Sequence, residues 1–204
     1  MQQIKNIIFD LGGIFLNIDY PKTEKAFIDL GITNFPELYN QHHASDLFEL
    51  LETGKITPAE FYHQFAALSP VPVSAAQIKE AWNAMLGTFP LERIDWLQQI
   101  KTRYNIYLFS NTNKIHHDAF TETFAQLTGN SDFDSHFIKA WYSHTIGVRK
   151  PYADSFRHVL SLANLDAADT LFIDDTYKNI EGAREAGLQT IHLVAPRTLL
   201  DLSL

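Results

Sequence analysis

The sequence lacks cysteine. This absence excludes disulfide bonds, thiolate metal sites and a cysteine nucleophile, and it is compatible with a reducing compartment. Long apolar runs are missing too. The first residues, MQQIKNIIFDLGG, hold a short apolar stretch before Asp10, and no later segment approaches the roughly 20 apolar residues that a membrane-spanning helix needs. We therefore expect a cytoplasmic protein with no signal peptide and no membrane contact.

Positive charge is scarce. Lysine and arginine together number 16 against 24 acidic residues, which gives a net charge of −8. A protein that binds DNA or RNA must neutralise many phosphates, so we expect no nucleic-acid partner. A small anionic ligand is compatible with this balance, because a local positive site can oppose the net charge. The length of 204 residues, 46% of them hydrophobic, predicts a globular domain with a sizeable insertion, and no pattern indicates an oligomeric state.

Short apolar runs that end abruptly in polar residues predict strands buried on both faces. They lie over residues 4–9, 106–109, 137–142, 170–173 and 190–194. The stretches between most of them carry helical spacing, as in 91–100 and 156–163. This alternation predicts an α/β fold with a doubly wound parallel sheet, in which ligands bind at the carboxyl ends of the strands.

The first alternation is interrupted between residue 15 and about residue 89, where helix patterns occur without a convincing strand. We predict helices over 46–52, 58–68 and 74–86, separated by Thr53-Gly54-Lys55 and by Ser69-Pro70-Val71-Pro72. The economical interpretation is a core domain formed by residues 1–15 and 89–204, with residues 16–88 forming a small helical cap.

Chemically capable residues follow successive predicted strands. Asp10 comes after the first strand, Ser110 ends the second, Lys150 precedes a helix after the third, and Asp174-Asp175 ends the fourth. A carboxylate nucleophile, a hydroxyl, a lysine and an acidic pair are what phosphoryl transfer through an aspartyl-phosphate needs. Alone, each could be a turn or capping residue; the four in this order indicate a catalytic site.

With these motifs the chain resembles the haloacid dehalogenase-like (HAD) hydrolase superfamily across nearly its whole length. FDLGG resembles the first motif of the family, LFSNTN the second, SHTIGVRKP the third and FIDDTYKNIEGA the fourth. The resemblance implies a Rossmann-like core with a C1 cap. Within the superfamily the chain is most similar to a bacterial branch of small sugar-phosphate phosphatases of the glucose-1-phosphate type. We therefore expect a phosphatase acting on a small phosphorylated metabolite.

The resemblance also implies roles for the residues that hold the phosphoryl group. Asp10 would attack phosphorus, and Ser110 with the backbone N–H of Asn111 would hold the phosphoryl oxygens. Lys150 would offset negative charge on the nucleophile and on the phosphoryl group. The turn Gly12-Gly13 would let the backbone approach the phosphate closely.

The same resemblance implies Mg²⁺ as the cofactor. Asp10, Asp174 and Asp175, with the carbonyl of Gly12, would be its ligands, since Mg²⁺ prefers oxygen ligands. Asn179 matches a position that is often acidic in relatives, so we expect it to hydrogen-bond near the metal ligands and not to bind the metal itself.

The chain departs from the family at Gly12, where an aspartate usually serves as general acid. Positioned acid catalysis contributes about 10²- to 10⁴-fold in rate, so another group such as Asp19 would have to replace it, or the leaving group must depart easily. An anomeric hydroxyl is more acidic than an ordinary alcohol, which favours a sugar 1-phosphate.

Substrate selectivity is expected to lie in the cap, with His43, Asp46 and Glu52 as candidate contacts. The histidine pairs at 42–43 and 116–117 are interpreted as solvated or packing residues, because adjacent helical residues do not face each other. Three alternatives to a phosphatase remain open. They are a non-catalytic sugar-phosphate binder, which the missing acid favours, a haloacid dehalogenase, which would not need the acidic pair, and a receiver module, in which the acidic pair would precede the phosphorylated aspartate.

Overall fold

The computed structural model describes residues 3–40, 43–130 and 132–204. Its strands are β1 Asn6–Phe9, β2 Tyr39–Asn40, β3 His43–Ala44, β4 Asn105–Ser110, β5 Lys139–Tyr142, β6 Thr170–Asp174 and β7 Gln189–His192. Its α-helices are α1 Tyr20–Asp29, α2 Phe35–Leu38, α3 Asp46–Glu52, α4 Pro58–Leu68, α5 Ala75–Asn83, α6 Leu91–Ile100, α7 Lys114–Thr128, α8 Ser143–Ile146, α9 Ala153–Leu162 and α10 Tyr177–Glu185. Short 3₁₀ helices span Phe133–His136, Ala167–Asp169 and Leu199–Asp201.

A parallel sheet of order β5-β4-β1-β6-β7 forms the centre of the molecule. Each of its strands covers part of a predicted apolar run, so the α/β fold class predicted from the sequence is confirmed. The chain winds from β1 outward to β5 and then returns to the other side of β1 with β6. Such a reversal opens a crevice at the carboxyl ends of the strands beside β1, where α/β proteins bind ligands.

Helices cover both faces of the sheet, because successive side chains of a strand point to opposite faces. Ile7 and Phe9 pack on one side with apolar residues of α6 and α7. Ile8 packs on the other side with apolar residues of α9 and α10. Burial on both faces explains why these strands are continuous apolar runs and not alternating ones.

Helices α1 to α5 pack around an aromatic cluster of their own that includes Phe27, Phe48 and Trp82. The predicted helices over 46–52 and 58–68 are α3 and α4, and α4 begins with a capping box between Thr57 and Glu60. The helix predicted over 74–86 ends earlier, at Asn83, and the short β2-β3 hairpin was not predicted. The cap boundaries at residues 16 and 88 remain a prediction.

The cap helices rest on the core at α7. The Trp82 ring of α5 stacks on His116 with ring centroids 4.5 Å apart, and Nε2 of His116 lies 3.0 Å from the Trp82 carbonyl. His116 therefore packs against α5, and it also lines a cavity at the carboxyl ends of the strands. Among the helices in the described ranges, none is long and apolar enough to cross a membrane.

Candidate active site

The predicted catalytic residues meet at one edge of the sheet. Strand β1 lies between β4 and β6, so the parallel register brings the ends of all three strands together. Asp10 follows β1, Ser110 ends β4 and Asp174 ends β6. All three side chains are buried, and the structure thus assembles residues that are far apart in the sequence.

Lys150 joins this group from the loop before α9. Its Nζ lies 2.7 Å from Oδ1 of Asp10 and 2.6 Å from Oδ2 of Asp174, and the residue is 1% exposed. Burial lowers the pKa of Lys150, but the two carboxylates raise it more, so the ammonium group stays charged. Asn111 fixes the lysine backbone through two hydrogen bonds, because its Oδ1 accepts from the Lys150 N–H and its Nδ2 donates to the Lys150 carbonyl, each at 2.9 Å.

Asp10, Asp174 and Asp175 offer oxygen atoms that all lie within 4.8 Å of one another. Burial raises the pKa of Asp10 to about 7; Lys150 opposes this rise, and the other two carboxylates add to it. Burial, with the charge of Asp174, raises the pKa of Asp175 to about 6. The lysine alone therefore leaves negative charge uncompensated. An all-oxygen donor set with excess negative charge fits a hard divalent cation such as Mg²⁺.

Two donors besides Lys150 hold Asp174 in place. Asn179 Nδ2 donates to both carboxylate oxygens at 3.2 and 3.0 Å, and the Thr176 N–H donates to Oδ1 at 2.7 Å. Asn179 thus hydrogen-bonds a candidate metal ligand, and its predicted role beside the metal stays a prediction. His192 was not anticipated, and its Nε2 donates to the Asp175 carbonyl at 2.9 Å. The sequence feature that could have identified His192 is its position at the end of β7, the strand beside β6.

The Gly12-Gly13 turn brings the backbone against the acidic pair. Gly13 has φ +71°, and a Cβ placed on it would lie 2.3 Å from Oδ2 of Asp175. Only glycine fits this approach. Arg93 of α6 braces the turn, since its Nη1 donates to the carbonyls of Gly13 at 3.4 Å and Ile14 at 3.0 Å. The sequence argument did not identify Arg93.

The Ser143 side chain fixes the loop after Ser110, and the Asn113 side chain caps the helix that follows this loop. Ser143 Oγ donates to the Thr112 carbonyl at 2.8 Å and accepts from the Thr112 N–H at 2.9 Å. Asn113 Oδ1 accepts from the N–H groups of Ile115 and His116, which caps α7. These bonds hold the backbone beside Ser110 in one conformation, as a phosphoryl-binding loop requires.

A cavity of about 340 Å³ lies between these loops and the cap helices. Its lining includes Asp10, Gly12, Ser110, Asn111, Lys150, Asp175 and Asn179 from the core, and Tyr20, Tyr39, Glu49, Glu52, Met85 and Leu86 from the chain that precedes α6. A pocket of this size suits a small metabolite. Asp174 lies behind this lining, fully buried against Lys150.

The structure places the candidate substrate-contacting residues of the cap in different environments. Glu52 is buried and lines the cavity. Asp46 begins the same helix but is exposed, and the structure does not bring it to the cavity. His43 lies in β3, where its side chain falls outside what the structure describes, and His42 lies outside the described residues. Asp19 pairs with Lys22 at 3.3 Å and is absent from the described cavity lining.

A polar cluster of the cap faces the loop that carries Lys150. Glu52 Oε2 lies 3.0 Å from Nη2 of Arg149, Glu49 Oε2 lies 3.6 Å from Nη1, and the Tyr39 hydroxyl donates to Glu52 Oε1 at 3.3 Å. Burial raises the pKa of Glu52, while Arg149 and Tyr39 oppose the rise. Arg149 belongs to the RKP sequence quoted above, but neither it nor Tyr39 was identified as a site residue.

Comparisons with known proteins find relatives over nearly the whole chain. The family model described as haloacid dehalogenase-like hydrolase matches residues 4–187. The chain is 30% identical over 188 residues to a D-ribitol-5-phosphate phosphatase of Bacteroides thetaiotaomicron, covering 92% of this chain and 90% of that protein. It is 27% identical to the sesquiterpene phosphatase astK of Aspergillus oryzae, with 93% and 89% covered. A variant of the HAD family enzyme bt-2542 from B. thetaiotaomicron, solved with magnesium and inorganic phosphate, superposes with a TM-score of 0.88 at 32% identity and 96% coverage of both chains.

Proposed function

Because the chain belongs to the haloacid dehalogenase-like hydrolase family, we propose that it hydrolyses the phosphate ester of a small sugar or polyol through an aspartyl-phosphate. The enzyme is a phosphoric monoester hydrolase that uses Mg²⁺. The observation that supports the covalent route is the position of Asp10, whose carboxylate opens onto the cavity while Lys150 holds one of its oxygens at 2.7 Å.

In the first step an Asp10 oxygen attacks phosphorus and the bond between phosphorus and the ester oxygen breaks. The alkoxide takes a proton and leaves as an alcohol. Ser110 and the Asn111 N–H would hold phosphoryl oxygens, and Lys150 would offset their charge. In the second step water attacks the aspartyl-phosphate, which releases inorganic phosphate and restores the Asp10 carboxylate.

Asp10, Asp174, Asp175 and the Gly12 carbonyl would hold the Mg²⁺ ion. When bound, the ion neutralises negative charge shared by the carboxylates and the phosphoryl group. Asn179 and the Thr176 N–H contribute by fixing Asp174, so that its carboxylate does not have to reorient when the ion binds.

The identity of the leaving group is the finer part of this proposal. Gly12 carries no acid, and Asp19 pairs with Lys22 and is absent from the described cavity lining, which supports a site in which neither residue supplies the proton. This favours an acidic leaving group such as the anomeric hydroxyl of a sugar 1-phosphate. The ribitol-5-phosphate phosphatase to which this chain is similar acts on an ester of a primary alcohol, so polyol phosphates belong in the same test.

A leaving-group series tests both parts. The purified protein with saturating Mg²⁺ should hydrolyse p-nitrophenyl phosphate, sugar 1-phosphates, sugar 6-phosphates and pentitol phosphates at measurable rates, compared as kcat/KM. A steep fall in rate with decreasing leaving-group acidity supports the missing-acid argument. A flat dependence would show that another residue supplies the proton. Binding of these esters without turnover of any would indicate a non-catalytic binder instead.

A further inference from the structure

Beyond the residues of the phosphoryl site, the cavity lining contains a polar group and an apolar group. The polar group combines Glu49, Glu52 and Tyr39 of the cap with Arg149 of the core, and the apolar group is formed by residues such as Met85 and Leu86. The Arg149–Glu52 pair, with its 3.0 Å separation, bridges cap and core. Arg149 is bonded to Lys150 along the chain, and Arg149, Lys150 and Glu52 line the same cavity.

The hydrogen bonding of this pair is incomplete. Within the described part of the chain, Glu52 Oε2 and Arg149 Nε are buried without a hydrogen-bond partner, although Oε2 is close to the guanidinium. The approach of Nη2 to Oε2 is therefore a charge contact without hydrogen-bond geometry. Buried polar atoms are almost always paired, and an unpaired acceptor beside an unpaired donor points to a ligand group that can do both.

We propose that Arg149 and Glu52 together bind a hydroxyl of the leaving group and so select polyhydroxylated phosphate esters over apolar ones. A hydroxyl can donate to Glu52 and accept from Arg149, whereas a hydrocarbon would leave Glu52 Oε2 with only its charge contact to Arg149 and would leave Arg149 Nε without an acceptor. This inference rests on the proposed function and adds Arg149 as a specificity-determining residue. Tyr39 supports it by holding the other oxygen of Glu52, which leaves Oε2 directed to the arginine.

The chemistry of such sites explains why the pair would discriminate strongly between the two classes of ester. A site built to hydrogen-bond a substrate hydroxyl rejects the analogue that lacks it far more strongly than an apolar pocket rejects an extra hydroxyl. The competing class of substrate is an apolar ester, as the name of the sesquiterpene phosphatase among the similar proteins illustrates. A polyhydroxylated ester can therefore hydrogen-bond to the Arg149–Glu52 pair, whereas an apolar ester cannot.

The test compares a pentitol 5-phosphate with n-pentyl phosphate, which share chain length and a primary phosphate ester. We expect Glu52→Gln and Arg149→Met to lower kcat/KM for the pentitol ester at least tenfold more than for the pentyl ester. Each loss in kcat/KM is measured relative to the parent enzyme on the same ester, so the difference in leaving-group acidity between the two esters cancels. Glu80→Gln, at an exposed carboxylate of cap helix α5, is the matched charge-removal control and should change neither rate by more than about twofold.

The inhibition constant of inorganic phosphate verifies that each variant keeps its phosphoryl site. It should be unchanged in the folded variants, and Arg149→Lys, which keeps the charge but loses the Nε donor, replaces Arg149→Met if the latter does not fold. Equal losses on both esters, or no loss, would overturn the inference. So would a parent enzyme that hydrolyses both esters equally well, and in that case the proposed function would still stand. Failure of the parent on every phosphate ester, aryl phosphate included, would overturn both.

Discussion

Gly13→Ala isolates the contact between the glycine turn and the acidic pair. Alanine at φ +71° costs about 1 to 2 kcal/mol because Cβ approaches the backbone in the left-handed region. A Cβ 2.3 Å from Oδ2 of Asp175 must in addition push the carboxylate by about 1 Å to reach ordinary contact. A displacement of this size at a reacting centre costs about 100-fold in rate. We therefore expect kcat/KM to fall about 100-fold, with a higher Mg²⁺ concentration needed for half-maximal activity.

Gly129→Ala is the matched control. Gly129 has φ +73° at the end of α7, and a Cβ there would meet no described atom within 4 Å. Both variants should lose about 1 to 2 kcal/mol of unfolding free energy in urea from backbone strain, measured with and without Mg²⁺, and Gly13→Ala should lose more because of its clash with Asp175. Only Gly13→Ala should lose activity and Mg²⁺ affinity. If the two variants keep similar kcat/KM, the steric coupling between Gly13 and Asp175 is refuted.

Three further predictions concern the charged centre. Asp10→Asn should abolish turnover while inorganic phosphate still binds, because the amide keeps the shape but is not a nucleophile; turnover near the parent rate would refute the covalent route. Lys150→Met should lower the unfolding free energy by about 3 to 5 kcal/mol, because Asp10 and Asp174 lose their shared cation, and an unchanged urea midpoint would contradict this ion-pair argument. The pKa values of Asp10 (about 7) and Asp175 (about 6) lie above their unfolded value of 3.8, so the metal-free protein should lose stability as pH rises from about 4 through 7. Mg²⁺ should then raise Tm more at pH 8 than at pH 5.5. Thermal unfolding at constant ionic strength measures both shifts, and equal shifts at the two pH values would argue against a carboxylate site.

The convergence of the site could be predicted because a parallel sheet imposes it. Asp10, Ser110 and Asp174 each follow an apolar run, and parallel strands place their carboxyl ends at one edge whatever the length of the connections. The insertion between β1 and α6 therefore did not obscure the order of the motifs. Asn179 could be placed in the same way, since it lies in the first turn of the helix that follows β6.

The cap contacts were harder to predict because they depend on how the cap sits on the core. Asp46 and Glu52 belong to one helix but lie six residues apart, at about 100° per residue, so they face different directions. Glu52 follows the buried Phe48 by four residues and therefore shares its inward face, whereas Asp46 is exposed. Sequence periodicity could predict that Glu52 is more buried than Asp46, but it could not show which residues the inward face of the helix would contact.

The sequence by itself thus determined the strands of the parallel sheet, the order of the catalytic motifs and the chemistry that they can perform, because these depend on local patterns and on the geometry of a parallel sheet. Only the tertiary structure decided which distant side chains complete the site: Arg93 on the glycine turn, His192 on the Asp175 carbonyl, and Arg149 against Glu52. Each of these contacts joins segments whose relative position is set by the packing of helices on the sheet or of the cap on the core. No spacing within one segment encodes such a distance, so these contacts could be found only once the chain had been folded.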